Sequence, residues 1–95
     1  MSECIEKFTK EFPTSEVNEE IGIIYVDKNT YDTLLNLDYH KSDLVDNEED
    51  GVWVFFESNY KDMTFVTRVQ VLRPDKIIKE LALVCPEDVY LILRK

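Results

Sequence analysis

The densest set of oxygen ligands in the 95-residue chain is Asp46-Asn47-Glu48-Glu49-Asp50-Gly51, followed by Glu57. Counted from Asp46, acids stand at positions 1, 3, 5 and 12, with glycine at 6. That is the spacing of an EF-hand calcium loop, where carboxylates and a sharp glycine turn surround the ion. Two features argue against it. Position 3 is Glu rather than the usual shorter Asp or Asn. Residues 53–56 also read as a strand, where a calcium loop runs into a helix. No metal site is assigned.

Other chemistries lack their parts. His40 is the only histidine, and it lies in a polar segment between Tyr39 and Lys41. Cys85 could be activated only if the fold brought His40 beside it, and nothing in the sequence places them together. Zinc sites need clustered Cys and His. Neither G-x-x-x-x-G-K-[ST] nor G-x-G-x-x-G occurs. Carboxylate pairs are abundant, but they fall in polar segments rather than among apolar residues that would raise a pKa. The expectation is a protein that is not an enzyme and holds no cofactor.

The charge points elsewhere. Twenty acids against eleven bases leave a net charge of −9, which opposes direct binding to phosphates. Residues 1–50 carry −10 and residues 51–95 carry +1. The excess gathers in Glu16, Glu19 and Glu20, and then in Asp43, Asp46, Glu48, Glu49 and Asp50. Acids in surface loops keep a small domain soluble. If the two groups fold onto one side, they also form a negative face that speeds association with a basic partner.

Aromatic residues supply a second surface. Trp53 and Phe55 share one face of a strand, and Arg68 lies on the wet side of the next. RNA readers stack bases on such sheets, but their basic aromatic signature is missing here. Trp53 and Phe55 are therefore core residues or contacts for a protein partner or dimer mate.

The elements that would position these groups follow from periodicity. Ser2 caps a first helix with Glu3 and Glu6 in its first turn. Cys4, Ile5, Phe8 and Phe12 fall on one helical face, and Pro13 ends it. Residues 14–20 form a connector. Ile21–Val26 is an interior strand, and a second helix follows around residues 29–37. Residues 38–50 form a long loop. Val52–Glu57 and Met63–Leu72 are strands joined by turn residues. In the second, Met63, Phe65, Val69 and Val71 face a core, while Thr64, Arg68 and Gln70 face water. Pro74 and Asp75 start a third helix, with Ile77, Ile78, Leu81 and Cys85 on one face. Val89–Leu93 is the last strand.

A helix followed by β-α-β-β-α-β suits an α+β class, ferredoxin-like sandwich in one domain, residues 1–95. The extra N-terminal helix covers residues 1–13 and the core runs over 21–95. A small β-barrel with helical decorations is the alternative. In the sandwich the last strand is an edge, yet it is apolar on both sides. That pattern calls for cover by the first helix, or for a homodimer built on that edge.

The N-terminus places acids where a signal peptide needs bases. No apolar run approaches the ~20 residues that cross a bilayer. Both cysteines are expected as reduced thiols of a cytoplasmic protein, Cys85 buried, with a disulfide between them as the alternative.

The leading expectation is a small acidic protein that inhibits a basic, nucleic-acid-handling protein, its acids standing in for phosphates. Inhibitors encoded by viruses and mobile elements offer a class-level analogy. The binding residues would be Asp43, Asp46, Glu48, Glu49 and Asp50, with Glu16, Glu19 and Glu20. The alternative is an assembly subunit or homodimer whose sheet edge or face carries Trp53, Phe55, Tyr90 and Ile92.

Overall fold

A helix and two short strands open the chain, and five strands in succession build most of a sheet. The computed structural model describes residues 2–48, 51–73, 76–85 and 87–94. In order they form α1 (Glu3–Glu11), β1 (Glu16–Asn18), β2 (Ile23–Val26), α2 (Lys28–Leu35), β3 (His40–Glu48), β4 (Gly51–Tyr60), β5 (Met63–Arg73), β6 (Lys76–Cys85) and β7 (Glu87–Leu93). The strands make one seven-stranded sheet in the order β1-β2-β7-β6-β5-β4-β3. All neighbours are antiparallel except β2 and β7, which run parallel.

This order overturns the ferredoxin-like βαββαβ sandwich, which has four strands. The barrel alternative also fails, because β1 and β3 are the two outer strands of an open sheet. The expected third helix is β6. Its two faces, Ile77, Leu81 and Leu83 against Ile78, Ala82 and Val84, are both apolar, so alternation is hidden and a helical spacing emerges. Pairing with β5 and β7 settles the conformation. The expected loop at 38–50 is largely β3, zipped to β4 with a register shift between Lys41 and Val45. Such a bulge suits an outer strand. β7 lies between β2 and β6, so the last strand is interior and not the edge that would have called for cover by the first helix or for a dimer mate.

Both helices pack on one face of the sheet. The Ser2 hydroxyl accepts from the Ile5 N–H at 3.3 Å and caps α1. Phe8 of α1 meets Phe65 of β5 edge-on at 6.1 Å, and Phe12 stacks on Tyr60 of β4 at 6.1 Å. Leu34 of α2 joins Ile24, Val26 and Leu91 in the same core. Asn29, a residue type that often caps helices, lies inside α2. The actual cap is Asp27, which accepts from the Thr30 N–H at 2.8 Å and from the Thr14 hydroxyl at 2.7 Å.

Those bonds, the Thr30 N–H foremost, hold the Asp27 carboxyl below its usual 3.8. A depressed pKa adds stability above the unfolded value and loses it as pH falls through the folded one. The difference in melting temperature between the parent and Asp27→Ala is therefore expected to be widest above pH 3.8 and to narrow in stronger acid. Thermal melts across that range read it directly. An equal difference at all pH values would remove the carboxylate from the account.

Cys4 and Cys85 form a disulfide, with Cα atoms 5.6 Å apart. This corrects the expectation of two reduced thiols. The fold brings the start of α1 onto the end of β6, a contact that 81 positions of separation conceal. Among the described residues, no helix is long and apolar enough to cross a membrane.

Candidate functional site: the uncovered half of the sheet

Helix length sets which part of the sheet is covered. The eleven residues of β5 extend roughly 36 Å at about 3.3 Å each. The nine residues of α1 extend only about 14 Å at about 1.5 Å each. α1 lies over the end marked by Tyr60, Met63 and Cys85, and α2 lies over β2 and β7. The opposite ends of β4, β5 and β6 run beyond both helices.

Burial changes side along β5 as a result. Near α1 the helix-side residues Met63 and Phe65 are buried, as the alternation predicts. At the far end Val71 on that same face is exposed, while Gln70 on the supposedly wet face is only 3% exposed. Register places Gln70 opposite Trp53, which is 7% exposed. The helix-side face thus loses its cover where the reverse face gains a small cluster of its own.

Arg68 organises that reverse cluster. Its guanidinium lies 4.7 Å from the Trp53 ring centre, 5.7 Å from Tyr90 and 5.9 Å from Phe55. It also donates to Glu80 Oε2 through Nε at 3.1 Å and through a terminal nitrogen at 2.5 Å. Pairing β5 with β6 puts Arg68 directly opposite Glu80. The chain's own cation therefore occupies the aromatic surface, at about 0.5–1 kcal/mol per ring contact. Of the expected interface residues, Trp53 is buried, Phe55 and Tyr90 are half-buried, and Ile92 is exposed.

On the helix side, the uncovered ends carry Val52, Val54 and Phe56 from β4, Val69 and Val71 from β5, and Ile77 from β6. Val52 is 45% exposed, Val71 58% and Ile77 61%. A shallow groove of about 570 Å³ runs over the β4 and β5 residues, bordered by Lys41 and Gly51. Gly51 is required here. Its φ is +144°, and a Cβ would approach Gln70 Nε2 to 3.2 Å.

The two acidic groups do not meet. Glu16 lies in β1, Glu19 and Glu20 follow it, and Asp43, Asp46 and Glu48 belong to β3. β1 and β3 are opposite edges of the sheet, about 29 Å apart at roughly 4.8 Å per strand. Glu16 pairs with Arg94 at 3.0 Å. Glu49 and Asp50 lie outside the described residues, as do the side chains of Asp43, Asp46 and Glu48. The calcium-loop spacing falls on the β3–β4 hairpin, where Glu48 pairs with Gly51, and not on a loop entering a helix. Among the described residues, no group of three or more His, Cys, Asp or Glu could hold a metal ion.

The valine surface was missed because its residues read as core. Period-two alternation marks a face as apolar, and only helix lengths and positions show that part of it is bare. Comparison with protein-family models, curated proteins and solved structures returned no match.

Proposed function

We propose that the chain is a non-enzymatic interaction protein that holds another protein against the uncovered face of β4, β5 and β6. The observation that supports this reading is the adjacency of Val52, Val71 and Ile77 on one bare sheet face, each at least 45% exposed. Scattered apolar side chains are ordinary on a surface, whereas contiguous ones mark interaction sites. Fully burying one such side chain is worth about 1.5–3 kcal/mol, so a partner that covers three has enough to offset part of the cost of association.

A second reading keeps the acids as the binding element. It is favoured by the position of β3 as an outermost strand, which carries Asp43, Asp46 and Glu48 to one rim of the sheet. That rim would meet a basic, nucleic-acid-handling protein, with carboxylates standing where phosphates bind.

Affinity capture from an extract of the encoding organism separates the two. The parent, a Val71→Glu/Ile77→Glu variant and an Asp43→Lys/Asp46→Lys variant serve as baits. Exposed positions tolerate substitution within about 0.5 kcal/mol, so the Val71/Ile77 bait is expected to fold. The face reading expects one partner that is retained by the Asp variant and lost from the Val71/Ile77 variant. The opposite pattern transfers the function to the β3 rim.

A further inference from the structure

We propose that the open edge of β6 is a strand-addition site for an extended, carboxylate-bearing segment of a partner protein. This rests on the binding reading above and specifies its mode. β6 and β7 pair from Cys85↔Glu87 to Ala82↔Tyr90, and the ladder ends there. β7 then runs beside β2, with Tyr90–Leu93 matched to Ile23–Val26. β6 continues to Lys76, paired with β5 alone. Two backbone edges, Lys76–Leu81 and Leu91–Leu93, thus diverge inside a sheet that is otherwise continuous.

A cavity of about 350 Å³ occupies the wedge, lined by Ile21, Tyr31, Lys79, Leu81, Ile92 and Leu93 among others. Ile21, Ile92 and Leu93 are exposed, so its mouth is apolar. Ile77, on the bare valine face, lies on the same free edge. A strand edge presents a row of strong main-chain donors and acceptors. An extended peptide satisfies that row and places alternate side chains on the two faces.

Charge selects the occupant. Glu80 on this edge is neutralised by Arg68. Lys76 and Lys79 are exposed, and neither enters an ion pair among the described residues. The edge is therefore locally basic in a chain of net charge −9. An acidic strand is attracted to it. A second copy pairing symmetrically about Lys79 would set Lys79 against Lys79, and like charges directly opposite are destabilising.

The probe is a capped, fluorescent peptide of alternating valine and glutamate, about six residues long, the usual length of a strand. It is titrated into the full, disulfide-bonded chain, with anisotropy and hydrogen exchange as readouts. The expected result is saturable binding with at least tenfold slower exchange at gap-facing amides within Ile77–Leu81. N-methylation of alternate peptide amides, and separately Lys79→Glu, should each weaken binding at least tenfold. No binding at millimolar peptide overturns the proposal, as does unchanged binding of the N-methylated peptide. Concentration-dependent dimerisation that competes with the peptide overturns it in favour of a second copy. The binding reading is judged separately, by capture. Capture lost in Val71→Glu/Ile77→Glu without peptide protection of β6 overturns strand addition and leaves that reading standing. Peptide protection of β6 with capture indifferent to that variant supports strand addition and removes the valine face.

Discussion

Replacing Phe8 with alanine is expected to lower stability by about 3–5 kcal/mol, the usual cost of emptying a buried phenylalanine site. Phe8 is fully buried and touches Phe12 at 5.0 Å and Phe65 at 6.1 Å. It is the most deeply buried of the side chains through which α1 grips the sheet, beside Ile5 and Phe12. A domain of this size has about 5–15 kcal/mol in total, so the variant would lie near the limit of folding. Guanidinium unfolding should show a lower midpoint with little change in slope. Val71→Ala is the contrasting measurement. Val71 is on the same sheet face but 58% exposed, and its truncation should stay within about 0.5 kcal/mol. A Phe8→Ala cost below about 1 kcal/mol would mean that α1 is not docked as described. A large cost at Val71 would mean that the bare face is part of the core.

The contrast between those two residues also marks what the sequence could reveal. α1 was legible because Ser2, the 3.6-residue spacing of Ile5, Phe8 and Phe12, and Pro13 all agree. β4 and β5 were legible from period-two runs and the turn chemistry between them. β6 was misread because two apolar faces leave no alternation, and Ile77, Ile78, Leu81 and Cys85 then mimic a helical stripe. β3 was misread because its residues are polar, and its strand conformation comes from pairing with β4 rather than from its own propensity. With four strands in place of seven, the ferredoxin-like order followed directly. The acidic groups are visible in the sequence as clusters, but their separation depends on β1 and β3 being opposite edges. The bare valine face was invisible for a related reason. A strand of eleven residues and a helix of nine differ in reach only once each is given its rise per residue.

Removing the Cys4–Cys85 bridge is expected to cost as much as any single core truncation. The bridge spans 81 positions, and closing so long a loop in the unfolded chain is worth about 4.5 kcal/mol by chain entropy, against a typical measured range of about 2–4 kcal/mol. Cys4→Ser/Cys85→Ser, or reduction, should therefore lower the melting temperature by roughly 8 °C or more for a domain this small. Part of that loss is local. The bridge ties α1 to the end of β6, while Phe8 ties the same helix to β5. Two fastenings on one helix are not independent, because once α1 has come away the second has less left to hold. A double-mutant cycle of Phe8→Ala with the serine pair should show a combined loss smaller than the sum, by about 0.5–3 kcal/mol. Strict additivity would place the whole effect of the bridge in the unfolded chain, and none in the docking of α1. Partial coupling would divide it between the two, with α1 as the element that leaves first and exposes Phe65, Leu83 and the covered half of the sheet.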